Sequence, residues 1–226
     1  VRRNGQAYEL FVSIADVSHY VRSETALDQE AYARATSVYF PDRAIPMLPE
    51  ALSNGICSLN PNEDRLTKTA WIAFNGNGET TRSRFFDSVI RSHARMTYTD
   101  VRRILVDKDP ECLERYRKLV DEFKLMEDLA LLIYEQRRAR GNLDFDLPDA
   151  EIILDLQGLP ENIERAERNI AHRIIEEFMI AANEAVARHL KELDIPLLYR
   201  VHEGPDKEAL EALAPFLLSV GYRLPL

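Results

Sequence analysis

The stretch from Ile174 to Ala187 restricts the possible folds more than any other, because apolar side chains lie on nearly every side of it at helical spacing. A helix of this kind has to be buried, so the chain must pack other elements around it. Its polar residues form two pairs at a seven-residue spacing, which is about two helical turns, so each pair shares one stripe of the helix. One stripe can face solvent and the other can line a polar cleft, and the spacing leaves both assignments open. The pairs are Glu176 with Asn183 and Glu177 with Glu184.

The composition is that of a globular protein with a core of its own. With 226 residues, 46% of them hydrophobic, the chain suffices for one large domain or two small ones without disulfides. It contains no apolar run of the roughly 18 residues that a membrane-spanning helix requires. Cys57 and Cys112 lack the spacing of a zinc site, and we expect a reducing, cytoplasmic setting. The net charge of −9 argues weakly against nucleic-acid binding, although enzymes that hold divalent metals also need carboxylates.

The periodicity and the turn residues predict an α+β (mixed α/β) protein, in which a central mixed β-sheet with hairpins is covered by long helices. We expect one unit over residues 1–226. Four prolines deny regular structure to residues 38–65, and the sequence Asn75-Gly76-Asn77-Gly78 predicts a hairpin. The predicted strands are 8–17, 66–74, 80–91, 150–156 and 196–201, and the predicted helices are 26–37, 99–106, 110–141, 162–193 and 205–220.

Asn4-Gly5 is a strong signal for a type I′ hairpin turn directly before the strand 8–17. A hairpin needs a partner strand, and residues 1–3 are the ones that precede the turn. We therefore expect the sequence to start inside a hairpin of a longer protein. A loose tail with a chance Asn-Gly is the alternative.

An acidic segment follows the predicted helix 110–141. Asp144 and Asp146 would point to the same side of an extended chain while Phe145 points to the other, and Asp149 is close by. This pattern is similar to a metal-binding carboxylate cluster, and a polar loop is the alternative. No phosphate-binding glycine loop, nucleophile elbow or paired-cysteine motif is present, and the five histidines are scattered.

Two further features have both a functional and a structural interpretation. Tyr39, between a helix and a proline-rich loop, can stack on a base or anchor the loop. The basic run Arg137, Arg138 and Arg140 fits the C-terminus of a helix as well as it fits phosphate contact.

Six segments carry a pattern that spans almost the whole chain. They are VSIADVSHYV (12–21), TSVYFP (36–41), IPMLP (45–49), LSNGICSLNP (52–61), SHARMTY (92–98) and IIEEFMIAAN (174–183). In order and spacing the set resembles the catalytic (RNB) domain of the ribonuclease II and ribonuclease R family, and it is closer to the ribonuclease R branch. The resemblance implies a 3′-to-5′ exoribonuclease that hydrolyses single-stranded RNA to nucleoside 5′-monophosphates. It also implies Mg²⁺ as the cofactor and OB-type RNA-binding domains on either side of this one.

The resemblance assigns the grip on the RNA end to three residues. Tyr39 matches the tyrosine that packs by the terminal nucleotide and helps to set the shortest product. Phe145 aligns with the aromatic residue that stacks opposite it, and Glu176 matches the glutamate that contacts the same nucleotide.

The assignment of Glu176 also resolves the two stripes of the long helix. It selects Glu176 and Asn183 as the cleft stripe, and Glu177 and Glu184 then point outward or toward structural partners. Asp16 and His19 lie in the signature strand of the family, where the resemblance implies either a structural role or substrate contact.

The chain also departs from the family pattern. The metal-binding aspartates would precede Val1 and a later arginine segment would follow Leu226, so the sequence resembles a catalytic domain truncated at both ends. We therefore expect the isolated chain to bind no magnesium, to be inactive as a nuclease, and to risk non-native self-association through open sheet edges. Two alternatives are a non-catalytic relative that binds RNA or protein, and an unrelated hydrolase that uses Asp144, Asp146 and Asp149.

Overall fold

The computed structural model describes residues 1–144, 150–155, 157–165, 168–201 and 203–224. Helices and strands both contribute, which confirms the predicted fold class. In chain order, the elements are β1 (Arg2–Asn4), β2 (Ala7–Ala15), α1 (Val17–Tyr20), α2 (Ala26–Arg34), β3 (Val38–Tyr39), β4 (Ala44–Ile45), a π-helical turn (Ala51–Ile56), β5 (Asp64–Phe74), β6 (Thr80–Arg91), α3 (Tyr98–Arg102), a second π-helical turn (Arg103–Asp107), α4 (Pro110–Arg115), α5 (Val120–Ala139), β7 (Ala150–Leu154), β8 (Pro160–Arg165), α6 (Ile170–Glu192) and α7 (Lys207–Ser219).

The main sheet has four strands in the order β1-β2-β5-β6, built from two hairpins. At the first hairpin Asn4 lies opposite Ala7, so Gly5 and Gln6 form the two-residue turn, and Gly5 has a φ of +61°. Asn4 and Gln6 lack a positive φ, so the turn is not the predicted type I′, which needs two consecutive residues with positive φ. The residues before the turn therefore form a strand, and the loose-tail alternative is wrong. Each ladder in this sheet is antiparallel, whereas we expected a mixed sheet, because hairpin-linked strands pair without a crossover.

The core lies between one face of the main sheet and the helices α5 and α6. Side chains alternate between the two faces of a strand, so every second residue of β2 and β5 points into it. Each large apolar side chain buried there stabilises the fold by roughly 1.5–3 kcal/mol. The contributors include Tyr8, Leu10, Ile72 and Phe74 from the sheet, Phe123, Leu129 and Ile133 from α5, and Ile174, Phe178, Ala182 and Ala185 from α6.

The composition of helix α6 predicts burial on nearly every side, and this prediction is wrong. The helix is buried along one stripe. Ile175 and Val186 are 43% and 37% exposed. The core that the described residues build contacts one side of the helix, and these two apolar residues lie outside that contact.

The chain divides into two compact units, Val1–His189 and Leu190–Leu226. The first contains the main sheet and its core. The second contains α7, whose capping residue Asp206 accepts the Ala209 N–H at 2.7 Å. That a single catalytic domain spans 1–226 stays a prediction. No helix among the described residues is long and apolar enough to cross a membrane.

The predicted helix 110–141 is wrong as a single helix, since it is divided into α4 and α5. Tyr116 and Leu119, between the two helices, pack against the core, and the Tyr116 hydroxyl donates to Asp100 at 3.3 Å. These tertiary contacts outweigh the local preference for a continuous helix.

The predicted helix 162–193 begins later than expected. Residues 160–165 form β8, which pairs antiparallel with β7, and a strand partner distant in sequence decides their conformation. Helix α6 starts at Ile170, where the Asn169 side chain accepts the Ala171 N–H at 3.0 Å as a cap.

Two further predictions from local sequence are wrong. Residues 38–65 are not wholly irregular, because β3 pairs with β4 and a π-helical turn follows. Pro41, Pro46 and Pro49 lie outside these short elements, so their missing N–H groups interrupt no ladder. Residues 196–201 form no strand, since no strand pairs with them in the part of the chain that the structure describes.

Candidate functional site

Glu176 lies near the start of α6 and is held by an arginine from the segment that leads into the helix. The Arg168 guanidinium donates to Glu176 Oε2 at 2.8 Å, and the Glu176 side chain remains 39% exposed. The carboxylate is therefore fixed in orientation and still accessible, which suits a residue that is predicted to contact a ligand.

Arg168 also binds a second carboxylate, and this contact joins two parts of the chain. It donates to Asp144 Oδ1 at 2.5 Å, while Arg173 and the Tyr134 hydroxyl donate to Asp144 Oδ2 at 3.0 and 3.3 Å. We call these four residues, together with Glu176, the Asp144 cluster. The hydrogen bond from Arg168 holds the pKa of Asp144 below its usual range.

A cavity of about 450 Å³ adjoins the Asp144 cluster. Its lining combines both arginines of the cluster with apolar side chains from α5 and from the start of α6. The lining residues are Leu131, Asp144, Arg168, Asn169, Ile170 and Arg173.

The neighbouring residue, Glu177, is buried with a different arginine. Arg137 of α5 donates to Glu177 Oε1 at 2.7 Å and to Asn142 Oδ1 at 3.1 Å. Glu177 Oε2 is buried without a hydrogen-bond partner among the described residues. Burial raises the pKa of Glu177, against the opposing effect of Arg137. Three residues after Arg137, the Arg140 guanidinium donates to Glu184 Oε1 at 3.4 Å.

The second stripe of α6 therefore faces structural partners, one of the two predicted placements. Glu177 does not point outward, and its partner is on α5. Arg137 and Arg140 of the basic run are likewise engaged by carboxylates, which favours the structural interpretation of that run over phosphate contact. Asn183, on the predicted cleft stripe with Glu176, is exposed.

The described residues contain two of the three members of the predicted base clamp, Tyr39 and Glu176. Tyr39 lies on β3 opposite Ala44, and its side chain is 80% exposed. Among the described residues, no hydrogen bond or ring contact joins Tyr39 to Glu176. Phe145 lies outside the described residues, as do Asp146 and Asp149. The clamp therefore stays a prediction.

Asp16 and His19 have clear local roles at the end of β2. Asp16 caps α1, accepting from the Ser18 hydroxyl at 2.7 Å and from the His19 N–H at 3.2 Å. The Ser18 hydrogen bond is the main cause that lowers the pKa of Asp16, and Lys68 lies 3.6 Å away. The His19 ring meets the Tyr20 ring edge-on at 5.0 Å. Substrate contact by either residue stays a prediction.

The described residues do not provide a magnesium site. No group of three or more His, Cys, Asp or Glu side chains is placed to hold a metal ion within the described ranges. Asp144, the described member of the predicted carboxylate cluster, is instead neutralised by two arginines. We therefore derive no metal-dependent step from these residues.

Arg168 and Arg173 are the site residues that the sequence reasoning missed. A local signal was present, because Asn169 is a good helix cap and places Arg168 directly before the first turn of α6. That position brings Arg168 close to Glu176, two turns along the same helix, but the contact with Asp144 depends on the tertiary fold.

The family model of the RNB domain matches residues 1–223. The chain belongs to the RNB domain family. Ribonuclease R of Aquifex aeolicus (strain VF5) is 48% identical over 217 residues, which cover 96% of this chain and 31% of that protein. Ribonuclease R of Escherichia coli (strain K12) is 42% identical over 224 residues, which cover 99% of this chain and 27% of that protein. This RNB chain thus spans between a quarter and a third of the length of these two curated relatives.

A solved structure agrees with this assignment. Mycoplasma genitalium RNase R in complex with ribose methylated single-stranded RNA superposes with a TM-score of 0.88 at 34% identity, over 96% of this chain and 34% of that chain. The recognition of the ribonuclease R branch from the six segments is therefore confirmed.

Proposed function

We propose that this RNB chain is part of a hydrolytic 3′-to-5′ exoribonuclease that degrades single-stranded RNA to nucleoside 5′-monophosphates. The supporting observation is the 48% identity to a ribonuclease R across 96% of the chain. The neighbour that is bound to single-stranded RNA supports the same substrate class.

Within that enzyme, the part proposed for this chain is the grip on the 3′-terminal nucleotide. Tyr39 and Phe145 supply the two rings, and Glu176 supplies a carboxylate that accepts hydrogen bonds from the hydroxyl groups of the nucleotide. Arg168 holds Glu176 Oε2, so the carboxylate meets the nucleotide without first losing rotational freedom. Asn183 on the same stripe, and Asp16 and His19 at the end of β2, complete the set.

The proposed cofactor of the longer protein is Mg²⁺, which supplies a nucleophilic hydroxide and stabilises charge on the leaving oxygen. Its aspartate ligands are proposed to lie ahead of Val1. The isolated chain is therefore proposed to bind no magnesium and to have no nuclease activity. Proposed partners are single-stranded RNA and flanking OB-type domains, and the proposed setting is the cytoplasm.

The Tyr39→Ala change in the longer protein tests the proposed function. Loss of a stacking ring removes about 1–3 kcal/mol of binding per base, so the enzyme should release its RNA early and leave a longer final product. Gel analysis of a labelled oligonucleotide with magnesium measures both the release of monophosphates and the length of the end product.

The matched control is Tyr32→Ala, which removes another exposed tyrosine, 88% accessible, from helix α2. Its end product should match that of the unchanged protein. An unaltered product in Tyr39→Ala would contradict the clamp. RNA binding without any release of monophosphates by the unchanged protein would instead favour the non-catalytic relative.

A further inference from the structure

The main sheet has a second face, opposite to its core, on which aromatic and basic side chains are neighbours. Phe11 on β2 lies opposite Trp71 on β5, and Trp71 lies opposite Arg84 on β6. Because side chains alternate along a strand, and Leu10 and Ile72 point into the core, this row points away from it. Phe86, two residues after Arg84, lies on the same side. We call this surface the open face.

The aromatic rings of the open face are accessible to a ligand. Phe11 and Phe86 are 38% and 45% exposed, and Trp71 is half-buried. Arginines lie over two of the rings: the Arg2 guanidinium carbon is 5.2 Å from the Phe11 centroid, and that of Arg84 is 5.8 Å from the Trp71 ring. Rings on adjacent strands are separated by about one strand spacing, roughly 5 Å, so one ligand can contact several of them.

The charge of the open face differs from that of the whole chain. Register places Arg2 opposite Glu9 and Arg82 opposite Ala73, so Arg2, Arg82 and Arg84 share this side with Glu9. The face is thus basic within a chain whose net charge is −9. A polyanion is attracted here, although the protein as a whole repels it.

We infer that the open face binds single-stranded nucleic acid through base stacking on Phe11, Trp71 and Phe86 and phosphate contacts from Arg2, Arg82 and Arg84. Every base has a π-face, so such a surface accepts any sequence, and the arginines follow the backbone. This inference goes beyond the proposed grip on the 3′ end, because a surface of this kind contacts the interior of a strand and requires no terminus.

The chain offers a direct probe, because Trp71 is its single tryptophan. Titration of the 226-residue chain with an oligoadenylate of about 12 nucleotides should quench the fluorescence of Trp71 as bases stack on the face. The Arg84→Ala and Phe86→Ala variants, which alter exposed side chains, should each weaken binding by about tenfold. Arg84→Ala should also lower the slope of log K against log salt by about 0.7, the value for one phosphate contact with a single strand.

The matched control is Arg115→Ala, because Arg115 belongs to α4 and not to a strand of the sheet, and its guanidinium lies 5.1 Å from the Tyr116 ring. Like Arg84→Ala, this variant removes one positive charge and one cation–π contact, but its affinity for the oligoadenylate should be unchanged. Circular dichroism of each variant establishes that the fold is retained.

A circular RNA of the same sequence separates the open face from the 3′-end grip. Equal quenching by linear and circular RNA supports the inference. Quenching by linear RNA alone assigns the signal to the terminus and overturns it. Binding that leaves Trp71 unquenched, no binding of RNA at all, or an equal loss in Arg115→Ala also overturns it. None of these outcomes alters the product length that tests Tyr39, so the two proposals can fail separately.

Discussion

The Arg137→Ala variant is expected to lower the free energy of unfolding by about 3–5 kcal/mol, the range for removing one partner of a buried ion pair. The side chains of Arg137 and Glu177 are 14% and 2% exposed, and 2.7 Å separates their charged atoms. Without the guanidinium, the Glu177 carboxylate stays buried with no compensating charge, and Asn142 loses its contact as well. Urea unfolding followed by circular dichroism at neutral pH measures the change.

Arg140→Ala is the matched control, because Arg140, at the C-terminal end of α5, pairs with Glu184, two turns after Glu177 on α6. That pair is open to solvent, with side chains 59% and 43% exposed. Exposed ion pairs contribute about 0.2–1 kcal/mol, so this variant should be close to the unchanged protein. Equal losses in the two variants would contradict the special cost of the buried carboxylate.

The Glu177→Gln variant has a predicted dependence on pH. Burial raises the pKa of Glu177 in the folded chain, so the folded state holds this proton more tightly than the unfolded state does. The stability that protonation contributes is complete below the unfolded value, about pH 4, and is lost as the pH rises through the raised value. The unchanged protein should therefore lose stability relative to Glu177→Gln as the pH rises above about 4. A difference that stays constant over that window would contradict the raised pKa.

The elements that the sequence predicts well are those whose determinants are neighbours in the chain. Gly5 supplies the positive φ of the first hairpin turn. Asp109 and Asp206 cap α4 and α7 by accepting the N–H groups of Cys112 and Ala209. Such turn and cap chemistry needs no distant partner, so local reasoning succeeds.

The elements that the sequence predicts poorly depend on distant partners. Residues 162–165 were predicted as the start of a helix but belong to a strand, because β7 pairs with them. Tyr116 and Leu119 interrupt a long helix because the core takes both side chains. The energy that decides these cases comes from tertiary contacts, which local preference does not contain.

The same division holds for the candidate site. The seven-residue spacing correctly separates Glu176 from Glu177, since the two carboxylates have different arginine partners. The identity of those partners was not predictable, because Arg137 is 40 residues before Glu177 and Arg168 must also meet Asp144. Periodicity indicates which side of a helix a residue occupies, and only the packing shows what faces that side.

The Gly78→Ala variant is the second change with a large expected effect, a loss of about 2–5 kcal/mol in the free energy of unfolding. Gly78 has a φ of +82°, and the left-handed conformation costs a residue with a Cβ about 1–2 kcal/mol. The new Cβ would also lie 2.8 Å from the carbonyl carbon and oxygen of Leu132, in the backbone of α5. Overpacking of this kind costs about 1–3 kcal/mol more, because a helix backbone cannot move aside as a side chain does.

The Gly5→Ala variant isolates the contact with α5, because Gly5 is also a hairpin glycine with positive φ but has no atom within 4 Å of an added Cβ. Its free energy of unfolding, measured in urea like that of Gly78→Ala, should fall only by the cost of the backbone conformation, about 1–2 kcal/mol. The excess loss in Gly78→Ala then measures how tightly the β5–β6 hairpin is docked on α5, where Gln136 donates to the Asn77 carbonyl at 2.8 Å. Equal losses would mean that the β5–β6 hairpin can move away from α5 without lowering the free energy of unfolding. In that case the packing beside Arg137 would be looser than its buried ion pair requires.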